Sequence, residues 1–336
     1  MLAWTMSHPE TQVRTPARRA FDHLRDAFAA EFDGRRPAGG LVLAAEPGRT
    51  SPLRYRGASG TFEVDVAPDV IGTLPDLAQF PETLAFGREI LGRCTDRLDA
   101  YSRHVGRHPS RASTLQALAL LPPDERQRAL GAAGRGDLEW LAARADAGAS
   151  VPFADVFGRL SGQAADKATP ARLRELGDTL CRLGLGLIPD PRFPARHAGA
   201  SSVVLFPLEG PAEAVEPPTD AYRAAFLTLS VGMLVAMADG EVTDDERAVL
   251  REMAAVSPGL APDERRRLAA DSSWLEATPA ELPSLRARLV ELGAERRQAV
   301  GDMLVRVASS DGRHDRAEIA LLEKVFRHMG IERDRL

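Results

Sequence analysis

The carboxylates of this chain are unevenly placed. Five of them, Asp239, Glu241, Asp244, Asp245 and Glu246, fall within eight residues. Oxygen ligands crowded on one turn suit hard divalent cations such as calcium, magnesium or manganese. A related run lies downstream, where Asp311-Gly312 is followed by Asp315 and Glu318. Both copies fit Asp-Gly-x5-Glu, and each follows a long apolar segment. If the two copies pack back to back, Asp239 and Asp311 approach one another. With Glu246 and Glu318 they would form a shared acidic metal site, supported by Glu241, Asp244 and Asp245. The spacing is not that of an EF-hand loop, which spreads its ligands over about twelve residues. Arg313 and Arg316 also dilute the second copy.

The same residues have a purely local explanation. Gly240 and Gly312 can take the left-handed conformation that ends a helix. Thr243 and Asp315 can then cap the next helix, and Glu246 and Glu318, three residues on, complete a capping box. Each copy becomes a helix, a tight turn and another helix, with Val249-Leu250 and Ile319, Leu321-Leu322 facing the core. A duplicated helical hairpin needs no ligand to make sense. Both readings stand at this point.

Other reactive groupings are weaker. Tyr101 to His108 packs Ser102, Arg103, His104 and Arg107 into one polar cluster. Arginine forks there could hold an anion, but cationic residues also favour a helix C-terminus, which Gly106 and Pro109 would close. His197, His314 and His328 are scattered, and no His-Glu-x-x-His, Gly-x-Ser-x-Gly or phosphate-loop motif occurs. Arg265-Arg266-Arg267, beside Asp263, Glu264 and Asp271, reads as a solvated helix face. Cys94 and Cys181 lie in separate helical segments without zinc-ligand spacing, and a reducing, cytoplasmic setting fits them.

The 336 residues leave room for two or three domains. A formal net charge of −5 argues against broad nucleic-acid binding. Only Lys167 and Lys324 are lysine. With the abundant alanine, this arginine bias points to a GC-rich bacterial genome rather than to phosphate ligands. The N-terminus has no apolar core of signal-peptide length, and no stretch is long and apolar enough to span a membrane. The most apolar run, Ala221 to Ala238, suits a buried core helix.

The elements that would position these residues are mainly helical. Residues 1–80 read as a small mixed α/β region, with a helix from Thr15 to Phe32. Short strands are predicted at Leu41 to Ala45, Leu53 to Tyr55 and Thr61 to Val66. Residues 81–208 read as helical, with Phe86 to Val105 one helix or a bent pair and Thr169-Pro170 opening another. The apolar run Val203 to Phe206 reads as a strand pairing with the early ones. Residues 209–218, proline-rich and acidic, read as a linker. Residues 219–336 read as an all-helical bundle. The fold class is thus mainly α, with a small α+β part at the N-terminus.

The apolar helix ending Val-Ala-Met-Ala-Asp239-Gly240, followed by Thr243-x-x-Glu246 and the second Asp311-Gly312-x5-Glu318, resembles the TerB domain of bacterial tellurite-resistance and stress-response proteins. Upstream, Leu98 to Arg107 and Ala117 to Pro122 resemble the TerB-N region that precedes TerB in larger proteins. A TerB-C region usually follows in such proteins, and none is read before Leu336, as in a shortened chain or a natural variant. The resemblance implies a compact helical bundle with an acidic surface, linked to oxyanion stress, phage defence and membrane-proximal complexes. It also implies a divalent-cation role at Asp239, Glu246, Asp311 and Glu318, while no catalytic activity is established for such domains. The expectation is a non-enzymatic protein binding a divalent cation, a protein partner or both through its acidic hinges, with peripheral membrane association open. The alternatives are a metal-dependent enzyme with an unrecognised active site and a structural adaptor without metal.

Overall fold

The structure is a computed structural model. It describes all residues except 37–40, 42, 45–53, 57–59, 66–78, 194–200, 214–215, 311, 313–315 and 332–336. The chain forms two compact units, one of residues 1–112 with 120–129 and one of residues 113–119 with 130–336.

In the first unit, α1 (Leu2–Ser7), α2 (Thr15–Arg19), α3 (Phe21–Arg35), α4 (Pro81–Arg97) and α5 (Asp99–Arg107) are joined by α7 (Pro123–Ala129). The predicted bent pair is therefore α4 and α5, broken at Leu98, which is fully buried. Strands β1 (Arg54–Arg56) and β2 (Glu63–Asp65) pair antiparallel, near two of the predicted strands. Of the strand predicted from Leu41 to Ala45, Leu41, Leu43 and Ala44 are not in a strand, and Val42 and Ala45 lie outside the described residues. The polar cluster from Tyr101 to His108 runs from the third residue of α5 to its C-cap, with His104 and Arg107 in the last turn. Tyr101 is buried there and donates its hydroxyl to the Ala112 carbonyl at 3.2 Å.

The second unit begins with α6 (Leu115–Leu118), α8 (Ala132–Ala147), α9 (Phe153–Ser161) and α10 (Pro170–Arg182). Thr169 caps α10, its hydroxyl accepting from the Arg172 backbone N–H, with Pro170 in the first turn. A three-stranded antiparallel sheet follows the order β3 (Ser150–Pro152), β5 (Ser202–Pro207), β4 (Leu185–Ile188). This corrects the expected pairing. The strand at Val203 to Phe206 pairs with β3 and β4, two strands the sequence reading placed nowhere. β5 packs against both α8 and α13 (Pro262–Ala277). Val204 and Phe206 share a core with the C-terminal helices, and the alternate residues Val203 and Leu205, also buried, point to the other face. Gly186 pairs with Phe206, whose ring lies where a Cβ on Gly186 would be.

From 219 onward every element among the described residues is a helix: α11 (Asp220–Ala236), α12 (Asp244–Val256), α13, α14 (Leu282–Val290), α15 (Ala294–Ala308) and α16 (Arg316–Met329). The apolar run predicted as a core helix is α11, capped by Thr219. It packs against all five of the other helices, and Leu229, Val231, Met233 and Val235 have no exposed surface. A helix apolar all round must be surrounded. Gly232 makes this possible, because a Cβ there would meet Leu250 of α12 at 2.7 Å. The stretch 209–218 runs along this unit: the Ala212 N–H donates to the Cys181 carbonyl at 3.1 Å and the Glu209 N–H to the Asp263 carboxylate at 2.8 Å. Both cysteines are free and buried.

Candidate functional site

The first hinge is built by the end of α11. Its chain turns through Ala238 N–H to Val235 O and Gly240 N–H to Met237 O, at 3.0 and 3.1 Å. Gly240 sits at φ +103°, with nothing within 4 Å of where a Cβ would be. The demand for glycine is therefore one of backbone conformation, not of space. Thr243, in extended conformation, then caps α12. Its hydroxyl accepts the Glu246 N–H at 3.3 Å, and the Glu246 carboxylate accepts the Thr243 N–H at 2.8 Å and its hydroxyl at 2.9 Å. The capping box read from the sequence is thus fully formed.

This geometry divides the five carboxylates. Glu246 is 2% exposed and occupied within the box. Asp239, Glu241, Asp244 and Asp245 face solvent. Asp239 turns one oxygen back to the Glu241 N–H at 3.1 Å, and Asp244 pairs with Arg247 at 2.5 Å. Arg247 also holds Glu276 of α13 at 2.8 Å and the Val242 carbonyl at 3.0 Å. The first turn of α12 is thereby tied to a neighbouring helix.

The second hinge repeats the plan where it is described. Gly312 has φ +70°, α16 begins at Arg316, and Glu318 is 6% exposed. Asp311 and the predicted cap Asp315 lie outside the described residues. The two hairpins do pack together, with α15 against α11 and α12, and α16 against α11. Among the described residues, no group of three or more histidine, cysteine or acidic side chains is arranged to hold a metal ion.

Residues 225–336 match the family model described as tellurite resistance protein TerB. This part of the chain is a TerB domain. The match takes in α11 from its sixth residue and both hinges, and it begins downstream of the residues that resemble TerB-N. No curated protein and no solved structure matches the chain. No helix among the described residues is long and apolar enough to cross a membrane.

The sequence reading missed a second polar site beside the TerB domain's first helix. Asp190, just after β4, is 5% exposed and takes Arg192 through two nitrogens at 2.9 and 2.7 Å. Arg267 of α13 approaches the same carboxylate at 3.6 Å. Asp271, one turn further along α13, is 4% exposed and accepts the Tyr222 hydroxyl of α11. Burial is the main force pushing the Asp271 carboxyl up to about 7. Asp190 adds to it, while the Tyr222 hydrogen bond and Arg267 oppose it. The Tyr222 hydroxyl is pushed up as well, mainly by burial. The run Arg265 to Arg267 is therefore not a uniform solvated face: Arg265 is exposed, but the Arg267 side chain is only 12% exposed. The one available sequence signal is helical spacing. Arg267, Asp271 and Trp274 recur at i, i+4 and i+7 along one face of α13.

Proposed function

We propose that this is a non-enzymatic stress-response or defence-associated protein of the bacterial cytoplasm. Its TerB domain presents the first hinge to a divalent cation or to a basic segment of a protein partner. One observation carries the reading. The turn from Asp239 to Glu246 is braced by its own capping box while Asp239, Glu241, Asp244 and Asp245 face water. Glu246 is the brace, and the exposed carboxylates are the ligands. Held on a stiff turn they repel one another, and calcium, magnesium, manganese or a lysine-rich segment relieves that repulsion. Glu318, buried like Glu246, serves the second hinge in the same bracing role, and Asp311 takes the place of Asp239 in the sequence repeat. The TerB match supports the stress-response part of the reading.

Thermal melting with and without cation tests it. A cation at about 100 times its dissociation constant should stabilise the wild type by about 2.7 kcal/mol. Asp239→Asn should abolish most of that gain, and Asp311→Asn should reduce it if the second hinge contributes. An oligolysine peptide should shift the curve if the occupant is a partner segment. Should millimolar calcium, magnesium, manganese and oligolysine all leave the wild-type curve unmoved, the hinge is a cap and nothing more.

A further inference from the structure

The cluster around Asp271 opens onto a cavity of about 540 Å³, within the size range of small-molecule sites. Ile188, Phe193 and Phe226 give it apolar walls, and Tyr222, Arg267 and Trp274 are among its other lining residues. Trp274 is 4% exposed, and its indole Nε1 has no hydrogen-bond partner among the described residues. The same is true of the buried Arg267 Nε. Buried polar atoms are almost always paired, so two unpaired donors on residues that line one cavity call for an acceptor.

The acceptors already present are engaged. Asp190 is occupied by the Arg192 side chain and by its backbone N–H at 3.0 Å. Asp271 is occupied by the Tyr222 hydroxyl. The Arg267 guanidinium lies against two rings, 4.8 Å from the Phe193 centroid and 5.2 Å from that of Tyr222. An arginine fixed in this way is pre-organised for a planar anion. Arg223 and Arg288, both exposed, also line the cavity, so the lining carries three arginines against Asp190 and Asp271.

We infer that this cavity binds a small organic carboxylate with an apolar body, its carboxylate on Arg267 Nε and Trp274 Nε1 and its body against Ile188, Phe193 and Phe226. The inference is independent of the hinge reading and uses none of its residues.

Calorimetric titration of the full chain tests it, with benzoate and isovalerate as carboxylate probes, benzyl alcohol as the neutral counterpart and inorganic phosphate as an anion without an apolar body. At least one carboxylate should bind with a dissociation constant of about 1 mM or below, and phosphate and benzyl alcohol should each bind about tenfold more weakly. Trp274→Phe keeps the ring and removes the donor, and should weaken carboxylate binding about tenfold. Arg267→Gln should weaken it further; its melting curve, with that of Trp274→Phe, shows whether the fold is retained. No heat from either carboxylate at about 10 mM overturns the inference, since the donors are then met by water. Equal binding of benzyl alcohol and benzoate also overturns it, because the cavity is then merely apolar. So does phosphate binding as tightly as benzoate, or Trp274→Phe binding as the wild type does while folded.

Discussion

Two acidic regions of the same compact unit stand in opposite relation to water. At the first hinge, exposed carboxylates crowd together, and the one that is buried, Glu246, is satisfied by Thr243 three residues away. At the cavity, Asp190 and Asp271 lie far apart in the chain, are almost wholly buried, and find partners on the segment after β4, on α11 and on α13. The difference teaches that carboxylate density along a sequence marks a solvated turn. A strongly shifted proton equilibrium such as that of Asp271 arises instead where distant residues converge in a dry place.

The largest expected effect separates the two regions directly. Asp190→Ala leaves the guanidinium groups of Arg192 and Arg267 buried without their shared carboxylate, and should cost about 3–5 kcal/mol in denaturant unfolding. The exposed pair of Asp244 with Arg247 should be worth less than about 0.5 kcal/mol when Asp244→Asn is measured the same way. Comparable losses would erase the distinction.

The second prediction uses pH. The Asp271 carboxyl rises from 3.8 in the unfolded reference to about 7 on folding. Between those values the folded state holds a proton that the unfolded state has released. Its stabilising contribution is full below about pH 4 and is lost as pH climbs through about 7. The groups facing Asp271 are Tyr222 on α11, Arg267 on its own helix and Asp190 after β4. The stability of wild type relative to Asp271→Asn should fall by about 4 kcal/mol in all over that window. A flat difference would mean that Asp271 is solvated like the hinge acids.

The smallest effects concern the hinge as a turn. Gly240→Ala should cost about 1 kcal/mol or more, because φ of +103° strains any side chain. Thr243→Ala should cost about 1 kcal/mol by removing the cap. Melting temperatures unchanged in both variants would contradict the braced turn.

What the sequence made legible was local. The caps at Thr169, Thr219 and Thr243 sit one residue before their helices, and α11 was recognisable as the most apolar run of the chain. The sheet was harder. β3 is three residues ending in proline, and β4 is Leu-Gly-Leu-Ile, so neither is long enough to show a period. The exposed hinge residues followed from turn chemistry. Asp271 did not, because beside an arginine run it resembles any surface acid. Only the packing of α13 against α11 and β4 makes it a buried one.

The sharing of Val204 and Phe206 with the bundle core bears on how this domain could be moved between proteins. A cut in the proline-rich stretch 209–218 would look natural on the sequence, yet it would strip two strands' worth of apolar side chains from the side of α13. An excised segment beginning at Thr219 would carry that uncovered patch as a sticky surface. The portable unit therefore includes β4 and β5, and a designer borrowing these hinges would need to take the sheet with them.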